Sequence, residues 1–293
     1  MFGATFCWAG NMVAIKEGLR GFSPLALTQL RITAAGLIFV LLFVATKRLS
    51  ALRLTRRDWI MLALAGVSGV TLNQLCFIAG LARSSVTHAG LIVALGPIMV
   101  LVLSCAIRLE ALTVQKFAGM LISFGGVAIL TLGKQMRGDG GLWVGDMILL
   151  LGSAFFAVYT ILVKEVADKI DALSLNSIAS VVGVPLMLPF AWHATTNVNW
   201  SEVPTQGWWG LGYAILFGSV VPYLIFASVM KELTAARVAA FSYIQPVIAT
   251  GLGVGLMHEK LTAKIVIGGV LIFTGVYVTE RERGEEQAVG SRK

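Results

Sequence analysis

Along most of this chain the apolar positions come in runs of about twenty, and the polar positions fall in short gaps between them. A run of that length, apolar on all sides, spans the hydrocarbon of a bilayer as one helix. The pattern predicts ten such helices, over 2–19, 24–46, 58–80, 86–107, 113–133, 143–166, 172–191, 207–229, 237–257 and 262–280. The longest gap, 192–206, carries Asn197, Asn199, Ser201 and Pro204, residues suited to turns. No gap is long enough for a soluble domain. The expected class is an all-α integral membrane protein.

The pattern also repeats at a step of about 149 residues. Gly96-Pro97 stands beside Gln245-Pro246, and Glu110-Ala111-Leu112-Thr113 beside Glu259-Lys260-Leu261-Thr262. Gly119, Phe124 and Gly126 stand beside Gly268, Phe273 and Gly275 without a gap, and Lys16-Glu17 beside Lys164-Glu165 at a slightly shorter step. Such a repeat in a hydrophobic chain predicts a duplicated bundle. The halves are placed at 1–137 and 138–282, five helices each, with 283–293 as a disordered cytoplasmic tail of mixed charge. An odd number of passes makes the second half cross in the opposite sense, an inverted repeat whose halves can rock.

Composition supports the membrane reading. The 293 residues are 57% hydrophobic and 13% charged, with a mean hydropathy of +0.84, too few charges to coat a globule in water. The net charge of +8 sits in the gaps and not along a stripe, which suits anionic lipid headgroups and argues against nucleic acid. With the amino terminus inside, fifteen Lys and Arg fall in cytoplasmic segments and seven in external ones, with Arg31 inside a span. Both termini are therefore expected in the cytoplasm of a bacterial cell, with the chain in its inner membrane. The first run ends in Lys16-Glu17 without a cleavage motif, and the chain starts almost inside it, so a few residues are expected upstream. Cys7, Cys76 and Cys105 lie within apolar runs and read as packing residues; no metal site and no cofactor is implied. The GxxxG pattern at Gly251–Gly255 is suited to packing inside the bundle or to a dimer face, leaving a monomer or weak dimer.

Polar side chains within the spans are the candidate chemistry. Trp8 and Asn11 share a face of the first helix, Asn73 and Phe77 one of the third with Gln74 beside them, and Phe155 and Tyr159 one of the sixth. Tyr223 and Phe226 share a face of the eighth helix, and Ser242 and Gln245 one of the ninth, with Tyr243 and Pro246 on the next row. Hydrogen-bonding groups interleaved with aromatic walls suit a solute with an apolar body and polar ends. The same residues could instead bond helix to helix. Pro97 and Pro246, near the middle of the fourth and ninth spans, are expected to kink them, beside a cavity or as simple packing. His88 is a candidate for solute or proton contact, and Arg31 reads first as a structural or snorkelling cation. No Asp or Glu lies in the middle of a span, which argues for a facilitator or exchanger over ion-coupled antiport.

These residues resemble the drug/metabolite transporter superfamily in its ten-helix EamA type. The similarity is carried by Trp8-Ala9-Gly10-Asn11, Gln29-Leu30-Arg31-Ile32 with Ala35, Phe77-Ile78-Ala79-Gly80-Leu81 with Ser84-Ser85, Leu95-Gly96-Pro97 and Glu110-Ala111-Leu112. The ordered set spans essentially the whole chain. It departs from the family at Ala9-Gly10, where Ser or Thr usually follows a Trp-Gly pair, and at His88, often Ala. The resemblance implies carriage of a small organic metabolite, and the aromatic faces point to export of amino acids, hydrophobic or aromatic ones. The alternatives are a drug or polyamine carrier, which wants a buried carboxylate, and an intramembrane lipid-modifying enzyme. The enzyme would need clustered ligands that His88, His193 and His258 do not supply.

Overall fold

The structure is a computed structural model and describes residues 1–46, 54–81, 83–84, 92–132, 143–245, 247–248 and 263–290. Among these the regular structure is entirely helical. Helix α1 is Phe2–Gly18 and α2 is Pro24–Ala45, started by Ser23, whose hydroxyl accepts from Ala26 N–H, and by Pro24 in the first turn. Helix α3 runs as Arg56–Ala65, a π-helical stretch Gly66–Leu72, and Asn73–Leu81. Helices α4 (Gly96–Ala106), α5 (Val114–Leu132), α6 (Trp143–Val166) and α7 (Ala172–Thr196) follow. Helix α8 is Thr205–Ile215, a second π stretch Leu216–Val220, and Val221–Val229. Helix α9 is Ala235–Ala240 with a 3-10 turn Phe241–Tyr243, and α10 is Ala263–Gly290.

Among the described residues five helices are long and apolar enough to cross a bilayer: Pro24–Ala45, Arg56–Gly80, Trp143–Val166, Ala172–Thr196 and Thr205–Val229. Phe2–Ile15, Gly96–Ala106, Val114–Ile129 and Val266–Thr279 are apolar but shorter. The protein is thus an all-α, multi-pass membrane protein whose described spans are less even than the sequence suggests. Helix α10 continues to Gly290 and takes in most of the segment expected as an irregular tail. The fourth span also differs. Ala94 and Leu95 form a turn, and Pro97 stands in the first turn of a new helix, where its missing N–H leaves no bond unmade. The expected kink is a break. Pro246 and His88 lie outside the described residues, as does the Gly251–Gly255 pattern.

Large apolar side chains face outward, among them Leu37, Leu41 and Val44 on α2, Val181 and Phe190 on α7, and Val266, Val270 and Phe273 on α10. Contiguous faces of this kind suit hydrocarbon and not water. Of the tryptophans, all but Trp8 sit at or beside helix ends with exposed rings, at 59, 143, 192, 200, 208 and 209. They form the interfacial belts of a membrane protein.

Four pairs of helices, one from each sequence half, pack antiparallel. Gly36 of α2 meets Ser180 of α7, and Ser177 Oγ donates to the Phe39 carbonyl at 2.9 Å. Gly119 of α5 lies against Gly275 and Thr279 of α10, while Gly126 lies against Gly268 and Ile272. Between these, Ser123 Oγ donates to the Ile272 carbonyl at 3.2 Å. Without a hydrophobic drive in lipid, small residues that let backbones touch supply the association. Helices α3 and α6 pair through Gly80, Gly145 and Gly152, and α1 and α8 pair in the same sense through Gly10, Gly210 and Gly218.

One end of this framework is tied by charge. The capping box at the start of α3 has Asp58 N–H donating to Thr55 Oγ1 and Thr55 N–H donating to Asp58 Oδ2. Lys169, just past α6, donates to Asp58 Oδ1 at 2.6 Å, Arg57 pairs with Glu165 at 3.2 Å, and Lys164 Nζ donates to the Met230 carbonyl at 2.6 Å. Asp58 is buried while Lys169 is half exposed, so part of the pair is screened by solvent. Asp58→Ala removes both cap and pair and is expected to cost about 2 kcal/mol. Thermal unfolding in detergent, with Asp58→Asn retaining part of the cap, measures it.

Candidate functional site

The first glycine-dependent contact in the bundle interior belongs to the π stretches. Each lies at the middle of its helix and brings a glycine against a polar residue of another helix. Gly69 of α3 lies on the Tyr159 ring of α6, and Gly218 of α8 lies on the Asn11 side chain of α1; a Cβ at either would overlap its neighbour. Asn11 and Tyr159 stand at matching places in the two sequence halves. A π-helical insertion widens the turn and re-aims the side chains beyond it, and it recurs at functional sites.

Beyond Gly69 come Asn73 and Gln74; beyond Gly218 comes Tyr223. Arg31 Nη2 of α2 donates to Gln74 Oε1 at 2.6 Å, Gln74 Nε2 to Asn73 Oδ1 at 3.3 Å, and Asn73 Nδ2 to the Gly152 carbonyl at 3.0 Å. Tyr223 of α8 stands close to Gln74. Arg31 is only 8% exposed, and its Nε has no partner. Among the described residues no carboxylate pairs with it. A charged side chain held inside a membrane span costs a few kcal/mol (roughly 3 on insertion scales) unless it is compensated.

Aromatic rings close the centre. Trp8 packs edge-on against Tyr223 (5.9 Å between centroids) and beside Phe226 (5.9 Å). Tyr159 stacks on Phe226 at 6.0 Å, tilts against Tyr223 at 6.0 Å, and touches Phe156 at 5.8 Å. The Tyr159 hydroxyl and the Asn11 Oδ1 are buried with no hydrogen-bond partner among the described residues. Unsatisfied polar atoms in a tight aromatic cluster call for an explanation, and a ligand that visits them supplies one.

Beside this cluster a cavity of about 240 Å³ is lined by Ile15, Leu19, Pro24, Leu27, Thr28, Arg31, Gln74, Phe77 and Ile78, from α1, α2 and α3. It lies toward the end of the bundle where α1 finishes and α2 begins, opposite the Asp58–Lys169 end. A second, wider groove of about 660 Å³ between α4 and α6 is lined by residues such as Met99, Val102, Met147 and Leu151, all apolar.

Of the sequence-predicted residues, Trp8, Tyr159 and Tyr223 meet in one cluster, Asn73 and Gln74 join it through hydrogen bonds, and Asn11 packs at its edge. Gln74 and Phe77 line the cavity. Tyr243 does not join them. It is buried among Leu101, Met120 and Ile272, its hydroxyl without a partner among the described residues. Ser242 and Gln245 are half-buried on the same segment, and Phe155 lies outside the cluster, where its neighbour Phe156 stands instead. Sequence reasoning passed over Phe156 and read Arg31 as structural. The helical spacing of Phe156 to Tyr159 was available as a signal, and a cation in a span without an acid near it was another. Glu110, read as a motif residue, accepts the Ala236 N–H at 3.0 Å and so caps the start of α9.

The sequence model of the EamA-like transporter family matches residues 1–132 and 143–281. An uncharacterized transporter of Archaeoglobus fulgidus is 26% identical over 94% of this chain and 95% of its own length. The uncharacterized transporter YyaM of Bacillus subtilis is 26% identical, covering 98% and 94%. The uncharacterized inner membrane transporter YedA of Escherichia coli is 28% identical, covering 95% and 90%. A solved crystal structure superposes with a TM-score of 0.80 at 20% identity over 95% of this chain and 94% of that one, a likeness of fold.

Proposed function

The chain belongs to the EamA-like transporter family, and from that premise we propose that it carries a small organic metabolite by alternating access between two inverted halves. It is a membrane transporter and not an enzyme, in keeping with its family and relatives. Supporting the inverted arrangement, the helices at matching sequence places pair antiparallel, α2 with α7 and α5 with α10. Two separate stretches match the one family description, and the π stretches fall at matching places in α3 and α8.

The observation that carries the reading is the juxtaposition of a polar-lined cavity with a closed aromatic plug between α1, α6 and α8. The charged ties between α3, α6 and α8 close one end, and the cavity lies toward the other. Taking the Lys- and Arg-rich end as cytoplasmic, this is an outward-facing state. Loosening those ties while the far end closes would pass a solute across the plug.

The solute we assign is an amino acid, hydrophobic or aromatic, moved outward. Apolar walls with a few hydrogen-bonding groups, in a cavity of amino-acid size, support this. A drug or polyamine cation is disfavoured by the buried Arg31. Purified protein in liposomes is expected to exchange labelled phenylalanine or leucine for the same amino acid inside. Vesicles that show no counterflow of any amino acid would overturn the substrate reading. Impermeant labelling of both termini on one face is the accompanying test of the inverted halves.

A further inference from the structure

We propose that Arg31 is the anion-recognition group of this transporter and that the carried solute must present a carboxylate to it. The inference rests on the carrier reading and narrows it to a chemical class. Arg31 lines the cavity, more than nine-tenths of it is buried, and its Nε has no partner among the described residues. Its hydrogen-bonded partner there, Gln74, is neutral. A structural arginine within a membrane body is ordinarily paired with a carboxylate or with backbone carbonyls. This one keeps a planar donor fork partly unused beside open space, and that fork matches a carboxylate in two parallel bonds.

The surroundings fix the guanidinium without neutralising it. Gln74 is itself held by Asn73, so the acceptor facing Arg31 is pre-oriented. The rest of the cavity near Arg31 is mostly apolar, with Ile15, Leu27 and Phe77 forming the walls. Charge at one point and apolar surface elsewhere select a small organic acid with an apolar body. They reject a solute whose acid is masked as an amide, because the guanidinium would then stay uncompensated while the cavity dries.

The test uses the full chain in lipid nanodiscs and calorimetric binding of phenylalanine, phenylpropionate and phenylalaninamide. The two acids are expected to bind about 10- to 100-fold more tightly than the amide. In Arg31→Gln that preference should fall to about unity, with the amide's own affinity unchanged, whereas Arg31→Lys, which keeps the charge, should retain part of it. A merely structural Arg31 would weaken all three probes alike. The proposal is overturned if the wild-type protein binds the amide as well as the acids, if it binds neither acid at millimolar concentration, or if Arg31→Gln keeps the preference. The wild-type comparison decides the matter even where a variant does not fold. Acid-selective binding without counterflow would sink the transport of amino acids and leave this inference standing; counterflow without acid selectivity would do the reverse.

Discussion

Gly126→Leu is expected to break the α5–α10 pairing, whereas Gly125→Leu, one residue away, is expected to be tolerated. A Cβ on Gly126 would stand 2.7 Å from the Gly268 carbonyl oxygen and 2.9 Å from the Ile272 nitrogen. Both are backbone atoms and cannot swing aside, so the two helices must separate. Separation also stretches the Ser123–Ile272 bond and the Gln115 Nε2 donation to the Val278 carbonyl at 3.1 Å. Gly125 has nothing within 4 Å of the same built atom. Alanine at 126 alone should cost about 1–3 kcal/mol as overpacking, and leucine about 4 kcal/mol or more. Thermal unfolding in detergent should show a fall of about 10 °C for Gly126→Leu, with little change for Gly125→Leu. Equal behaviour of the two variants would mean that this contact does not hold the halves together.

Tyr159→Phe and Tyr159→Ala are expected to separate stability from transport. The ring stacks on Phe226 and fills the space over Gly69, so truncation to alanine should cost about 3 kcal/mol or more. Phenylalanine keeps the ring and removes a buried hydroxyl that has no partner, so stability should hold or rise by up to about 1 kcal/mol. If that hydroxyl meets the solute as the plug opens, counterflow in Tyr159→Phe should drop about 10-fold, the loss of one good hydrogen bond in the carried state. Unchanged flux in Tyr159→Phe would leave the residue as a plug and nothing more. A stability loss as large as that of Tyr159→Ala would show that the hydroxyl has a native partner after all.

The candidate site was partly legible because its members are polar or aromatic residues in places where lipid tolerates few of them. Trp8, Asn73, Gln74, Tyr159 and Tyr223 stood out on that ground, and the structure gathers them. Phe155 was chosen over Phe156 because an apolar run gives no polar face by which to orient a helix. Only the neighbour decides, and here Phe226 lies on the Phe156 side. Tyr243 was grouped with the others by its aromatic-polar character, yet the short α9 segment turns it into a separate cluster. The sequence reads Arg31 first as a structural cation, since the absence of an acid beside it among the described residues is a fact of three dimensions.

By itself the sequence determined the membrane class and most of the helices, because lipid admits only apolar helices. Tertiary structure alone decided where the helices loosen and what they enclose. The π stretches at Gly66–Leu72 and Leu216–Val220, the break before Pro97 and the cavity at Arg31 depend on backbone contacts between distant segments. Such contacts are set by which glycine meets which helix, and a linear pattern of apolar residues does not encode that choice.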